Sequence, residues 1–521
     1  MSRVENAGKN MMWQTLSTLI TTGMNFVTRY IFITYLGAEY LGMEGLFTSV
    51  FGVLSFMDLG FAGAFTFCFY KAIAAKDHNH ISILLNALRK IILAVMLAIG
   101  TLGVIMIPFL RFFVAGGTGI PDNQLTLYYV LTLCNTLVSY LFTYKTCYVT
   151  ACQKAYLLVP LTTGFNIATV AIQLAVLWIL QNYALYILTS IGCRLVQAFV
   201  VNSFINKRFP ETKLKSRVPL PEEDREVILR NTKGLIWGKV GTVSVYQTDN
   251  IIISAGVSIV ATGVVSNYNS VKMSVTGIIS MIENALVPSM GDLISREDVD
   301  TQMRVFYTYL MLTSWLLGLA FCGIGILCTP FIQLIFGAAM ILDNWSVFYI
   351  CMGFYFAFLM YALNILPTAG GYINLGAYVA GIEGVVNLVV SLLAMHFMGL
   401  PGVFFGTAVS AIVAYILRPI SVFKGMYQMS PTKFFKRTLM GYGTTMIIYV
   451  PLLGLRNAFY KSGEISIPAF LLLVCIVILL YTGVFWIFWR KDIYYQLFVK
   501  ECKDYMSKKL HLKSQKQHEE Q

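Results

Sequence analysis

A few ionisable residues lie inside long apolar stretches of this chain. There each costs about +2.5–3.5 kcal/mol on insertion scales and is expected to face a cavity or a partner. Arg194 falls near the middle of the run 184–205, where its side chain has the longest way to either surface. Arg29 sits seven residues before the end of the run 11–36, and Asp249 seven residues before the end of 232–256. At 1.5 Å per residue both are about 10 Å deep, so spacing sets opposite charges at matched depth. A guanidinium there offers a fork of donors suited to an oxyanion, and a carboxylate can release such a ligand or titrate with a cation. The competing reading is a latch between the two that touches no ligand. Lys272 lies at mid-depth of the run 263–290 and Glu283 in its inner half. Lys272 can contact an anion or snorkel to an interface, and Lys239, about two turns into its run, can reach the headgroups in the same way. Asp58 precedes Gly60 and Gly63, where a helix break would let it bind Na⁺ or a proton or cap the second half-helix.

The elements that hold these residues follow from composition. Of 521 residues, 57% are hydrophobic and 12% charged, with a mean hydropathy of +0.70. A soluble domain carries about 25% charged residues. A cytosolic enzyme, a secreted disulfide scaffold and a disordered chain are therefore excluded, and an all-α polytopic membrane protein remains. Candidate spans fall near 11–36, 42–68, 88–113, 125–151, 156–180, 184–205, 232–256, 263–290, 304–330, 344–368, 378–398, 403–424, 437–456 and 464–489. That makes about 14 transmembrane helices. The run Met11–Leu36 is too long for a signal-peptide core and is expected to be the first span. The 10 Cys read as small buried hydrophobes.

Net charge is +13, which could point to nucleic acid. With the N-terminus inside, however, 31 of the 38 Lys and Arg fall on inward segments. This follows the positive-inside rule, so the basicity reads as topology: no nucleic acid, and both termini cytoplasmic. The segment Asn206–Lys233 is dense in charge and Pro. It divides the chain into an N-terminal lobe (1–205), a cytoplasmic linker (206–233), a C-terminal lobe (234–424), two further spans (425–489) and a basic tail (490–521). Six spans on each side suggest two pseudo-symmetric six-helix lobes plus two C-terminal helices, a known transporter plan. The exits LGAEYLGMEGLFTS and SAGVSIVATGVVSNY, after spans 1 and 7, each pair glycines around a short turn.

Chemistry that is missing narrows the field. No GxxxxGK[ST] occurs, and the glycine-rich Gly116–Gly119 lacks the Lys, so ATP hydrolysis is unsupported. Asp298-Val-Asp300 matches a D-x-D metal pattern of glycosyltransferases but reads better as a solvated charge run on a short turn. His78 and His80 alone make a weak metal site, and no GxSxG or HExxH appears. No metal or cofactor is expected. Amides in the spans (Asn25, Gln173, Asn250, Asn267, Asn269, Asn284, Asn364, Asn387) could bind sugar, although interhelical hydrogen bonding explains any single one.

Arg29–Phe47 (RYIFITYLGAEYLGMEGLF), Phe56–Lys71 (FMDLGFAGAFTFCFYK), Thr248–Ser270 (TDNIIISAGVSIVATGVVSNYNS) and Pro401–Thr407 (PGVFFGT) together resemble one exporter family. It is the polysaccharide-export branch of the multidrug/oligosaccharidyl-lipid/polysaccharide exporter superfamily. The resemblance implies a V-shaped pair of six-helix lobes around a cavity. It also implies secondary transport of an undecaprenyl-diphosphate-linked oligosaccharide across the bacterial cytoplasmic membrane by alternating access, with no enzymatic step. Under it, Arg29, Arg194, Lys239 and Lys272 are candidates for the diphosphate and cavity. Asp58, Asp249 and Glu283 are candidate coupling or gating acids, with Na⁺ or H⁺ as the coupling ion. Its partners would be the lipid-linked glycan, membrane lipids and polysaccharide assembly enzymes. Alternatives are a multidrug/cation antiporter of the same superfamily, a peptidoglycan lipid-precursor flippase, or an integral-membrane glycosyltransferase or polymerase.

Overall fold

Hydrocarbon offers a backbone no hydrogen-bond partner, so apolar runs of this length must close their bonds internally as helices. The computed structural model describes residues 3–58, 61–114, 118–213, 218–372, 375–460 and 465–503, and among these there are helices and no strand. In chain order they begin with α1 (Arg3–Leu36), α2 (Ala38–Leu54), α3 (Phe61–Ala75), α4 (His78–Met106), α5 (Asp122–Ser139) and α6 (Thr143–Ala151). Then come α7 (Val159–Leu180), α8 (Tyr183–Arg208), α9 (Glu222–Gly256), α10 (Ile259–Arg296), α11 (Val299–Cys322) and α12 (Cys328–Phe336). The last are α13 (Asn344–Leu363), α14 (Ile365–Ala369), α15 (Ala377–Met398), α16 (Leu400–Tyr427), α17 (Thr432–Phe459) and α18 (Ile467–Trp489). Among the described residues, 10 helical segments are long and apolar enough to cross a membrane. By position α1, α2 with α3, α9 and α10 take the remaining places of the expected series. The chain is a multi-pass integral membrane protein. Its outward-facing side chains fit that setting: Leu97, Phe112 and Phe397 are 72%, 76% and 84% exposed, as lipid-facing residues are.

Helix ends are written locally. Asp77, Asn182, Asp298, Asp343 and Ser466 each accept a backbone N–H from the first turn of α4, α8, α11, α13 and α18. Each thereby satisfies a donor that the helix cannot. The D-x-D motif is accounted for in this way: Asp298 caps α11, and its bonds with Thr301 hold its carboxyl below the ordinary value. Gly37 alone joins α1 to α2 at φ 86°, and Gly399 alone joins α15 to α16 at φ 64°. Such one-residue links need backbone that only glycine adopts freely. The expected span 42–68 is interrupted: after α2 comes a 3₁₀ turn, Ser55–Asp58, before α3 begins.

The segment read as a linker is shorter than expected. Its second half, from Glu222 onward, is already the start of α9. Pro221 precedes that helix, and Glu222, Glu223 and Asp224 fill its first turn, where negative charge complements the helix dipole. Charge density marked a loop in the sequence, but here it marks a helix that starts outside the apolar zone and runs into it.

Packing divides the chain into two units, Met1–Ser270 with Ala377–Ser410, and Val271–Gly376 with Ala411–Gln521. The boundaries fall inside α10 and α16 rather than in the 206–233 segment. In the first unit α9 packs on α15, α2 and α3. Its core holds two clusters: one around Phe32, Phe47, Tyr129 and Tyr183, the other around Phe65, Phe69, Tyr148 and Ile205. In the second unit α11, α13, α17 and α18 surround Phe321, whose ring meets Tyr355, Tyr442 and Tyr449 edge-on.

The glycine exits noted in the sequence meet in the first unit. A Cβ on Gly42 of α2 would overlap the backbone of Ile259 and Gly263, and one on Gly263 of α10 would overlap Ala38. Backbones this close are the use of glycine between membrane helices. Gly42→Val should destabilise the protein by about 1–3 kcal/mol through overpacking. Gly23→Val, placed where nothing lies within 4 Å, carries only the propensity cost. Thermal unfolding in detergent compares the two, and equal losses would refute the contact.

Candidate functional site

Three helices of the first unit turn polar stripes toward one another. On α1 the positions are Thr21 and Asn25, one turn apart. On α7 they are Asn166, Thr169 and Gln173, and on α8 Ser190, Arg194 and Gln197. Spacings of three and four residues set each group on a single helix face. With Met24 and Val170 they line a cavity of ≈ 380 Å³. Gln173 donates to the Tyr186 carbonyl at 3.3 Å and Ser190 to Asn135 at 3.5 Å, which fixes two of the lining groups. Among the described residues no carboxylate lines the cavity, so the Arg194 charge dominates the described lining. One guanidinium among amides and hydroxyls suits an anion that carries hydroxyl-rich groups.

Arg29 lies one turn beyond Asn25 on α1 and points elsewhere. Its guanidinium donates to the Ser266 carbonyl at 2.9 Å and to the hydroxyls of Ser266 and Ser270, all on α10. The acid whose charge acts on it is Glu44 of α2, with the Tyr186 hydroxyl beside it. Spacing had matched Arg29 with Asp249, but its bonds go to α10. As found here, Arg29 staples α1 to α10.

Asp249 belongs to a second polar group. Thr407 of α16 donates to its carboxylate at 2.9 Å, and Asn387 of α15 donates to Thr407 at 3.1 Å. Thr248 donates to the Asn387 side-chain carbonyl at 3.2 Å, and Asn387 is completely buried. Next along α9, Asn250 donates to Ser49 of α2 at 2.9 Å. Three helices are thus joined through a carboxylate, an amide and two hydroxyls.

Of the other candidates, Lys272 is half-buried on α10 in the second unit. The side chains of Asp58, Lys239 and Glu283 lie outside the described residues. Sequence reasoning named Arg194, Asn25, Gln173, Asp249 and Asn387 but did not group them. It missed Asn166, Gln197 and Thr407: Gln197 stands three residues from Arg194 and Asn166 seven from Gln173, on the same helix faces, whereas Thr407 has no named neighbour in register. It also passed over Glu44, which lies just inside the expected second span (42–68) but almost two turns into α2, since that helix begins at Ala38. The His80 Nε2–H donates to the Asp224 carboxylate of α9 at 2.6 Å, which gives that histidine a protein partner.

Solvent access to the cavity is checked by labelling. In a cysteine-free background, Asn25→Cys and Gln197→Cys should react with a water-soluble maleimide. Ile172→Cys, 48% exposed on α7 but outside the lining, should stay unreactive in the bilayer, because hydrocarbon suppresses the thiolate. Equal reactivity at all three would refute a distinct aqueous cavity.

A family model described as polysaccharide biosynthesis protein matches residues 7–294, more than half of the chain. Among solved structures, the lipid II flippase MurJ in an inward closed conformation matches with a TM-score of 0.65 at 16% identity, covering 92% of this chain and 99% of that one. An inward-facing multidrug resistance MATE family transporter of the MOP superfamily gives 0.61 at 15% identity, over 78% of this chain and 95% of that one. A Vibrio cholerae MATE transporter gives 0.56 at 15%, over 82% and 98%. At these identities the likeness establishes a shared fold, and no curated protein matches the sequence. By this match over residues 7–294, the chain belongs to the polysaccharide biosynthesis protein family.

Proposed function

We propose that this protein is a flippase that moves a polyprenyl-diphosphate-linked oligosaccharide across the bacterial cytoplasmic membrane by alternating access. The observation that carries this reading is the cavity among α1, α7 and α8, where Arg194 is ringed by amides and hydroxyls with no acid among the described lining residues. Guanidinium forks bind phosphate oxygens, and amides and hydroxyls satisfy sugar hydroxyls. A cavity that extrudes organic cations would need the reverse, an acidic lining, and this disfavours the multidrug antiporter. The D-x-D motif is used as a helix cap, which weakens the glycosyltransferase reading. The inward bias of basic residues supports cytoplasmic termini.

Coupling is assigned to Asp249. A carboxylate with the oxygens of Thr407, Asn387 and Thr248 nearby is a hard-donor set suited to Na⁺ or a proton. Charging or discharging Asp249 would change how tightly α9, α15 and α16 are joined. Lipid II is a second candidate substrate, favoured by the fold shared with the lipid II flippase.

Complementation distinguishes these. The chain should restore surface polysaccharide to a strain lacking its oligosaccharide flippase, and Arg194→Ala should reduce that at least about tenfold, as loss of charged hydrogen bonds implies. Arg194→Lys should recover part of it. Rescue of only a strain lacking its lipid II flippase would move the substrate to the peptidoglycan precursor, and full activity of Arg194→Ala would remove the cavity from the mechanism. In proteoliposomes, Asp249→Asn should abolish the dependence of flipping on an imposed Na⁺ or proton gradient. An unchanged gradient dependence would rule out Asp249 as the coupling group.

A further inference from the structure

A second basic pocket, unrelated to the cavity above, lies at the Lys- and Arg-rich end of the first unit. The helical path breaks between α5 and α6, where Phe142 takes a left-handed φ of 63°. Lys145 follows in the first turn of α6. Its side chain is only 6% exposed, so this ammonium is almost wholly withdrawn from water. It donates to the side-chain carbonyls of Asn202 at 2.7 Å and Asn206 at 2.6 Å on α8. The rings of Phe142 and Tyr144 lie 6.0 and 5.8 Å from its nitrogen.

All of these partners are neutral. The described charges that act on Lys145 are those of Arg89, on α4, and Lys213, at the end of the turn Pro210–Lys213, both of its own sign. Glu211, the acid on the same turn, accepts the Tyr148 hydroxyl at 2.8 Å and does not line the pocket. Three cations therefore converge on one space of ≈ 210 Å³, bordered also by Asn206 and Thr212. A buried charge without a counter-charge costs several kcal/mol, and like charges nearby raise that cost. An anion would remove both penalties. Cations arriving from α4, α6 and the Pro210–Lys213 turn surround a ligand on several sides. That suits a tetrahedral anion with several acceptor oxygens better than a planar carboxylate.

We propose that this pocket binds a phosphate group. Arg89 would supply its fork, and Lys213 and Lys145 point charges. The phosphate can be an anionic lipid headgroup, since basic pockets between membrane helices on the cytoplasmic side take such groups, or a soluble phosphate. The inference is independent of what the protein transports.

Binding to the purified, delipidated full-length protein tests it. Native mass spectrometry would use phosphatidylglycerol and phosphatidylcholine, and calorimetry inorganic phosphate and pyrophosphate. Wild type should bind one of the anionic probes saturably. The double variant R89Q/K213Q should bind it about thirtyfold more weakly, at about fivefold per removed charge. Both side chains are exposed, so the fold is spared, and Lys90→Gln, exposed on the same helix but outside the lining, should bind as wild type. Phosphatidylglycerol binding without phosphate or pyrophosphate binding identifies a lipid headgroup, and the opposite pattern a soluble ligand. Equal affinity in wild type and R89Q/K213Q, or phosphatidylcholine binding as tightly as phosphatidylglycerol, would overturn the proposal.

Discussion

A polar group placed in hydrocarbon must find its partner inside the protein, and the first unit is organised around that requirement. Its intramembrane polar groups meet it in different ways. Arg29 is held by hydroxyls and a carbonyl of α10, and Asp249 by a chain of hydroxyl and amide donors from α16 and α15. Lys145 rests on two amide oxygens and two rings. Arg194 instead opens into a cavity whose described lining residues are amides, hydroxyls and apolar groups. Neutral partners keep a charge in place without cancelling it, as the two amides do for Lys145, whereas at Arg29 the charge of Glu44 acts on the guanidinium as well.

Such bonds require close helices, and small residues supply the approach. Gly42 and Gly263 let α2 and α10 touch backbone to backbone, and Gly241 brings α9 against Ala380 of α15. The Asp249 group spans α9, α15 and α16, which pack through Gly241, Gly402 and Gly406 in the same way. The glycines that look like mere spacers in the sequence thus determine which polar side chains can reach each other.

The all-helical fold and the membrane class were legible because hydropathy and charge bias act over long windows and reflect a single solvent. The caps were legible too, since Asp298 and Asp343 act on their own first turns. What could not be read was lateral. Depth is a one-dimensional quantity, and it set Arg29 and Asp249 level, but which neighbour each meets depends on helix rotation and on who packs beside whom. Glu44, Ser266 and Thr407 were therefore invisible as partners, although each is an ordinary residue in an ordinary span. Asn25 and Gln173 were ambiguous for the same reason until a shared cavity with Arg194 distinguished them from amides that only bridge helices. The charged stretch before the seventh span read as a linker, because its polarity hid a helix whose first turns, from Glu222, lie outside the apolar zone.

That helix has a mechanical implication. From Glu222 to Gly256 α9 runs without a proline or a break. At its outer-lying start, Asp224 meets His80 at 2.6 Å and Glu223 lies 3.9 Å from Lys71, while Asp249 stands 25 residues further along, about 38 Å at 1.5 Å per residue. A rod of that length has no loop in which to lose a displacement. Any tug on the membrane-surface contacts at one end arrives, as a shift or a turn, at the buried carboxylate near the other.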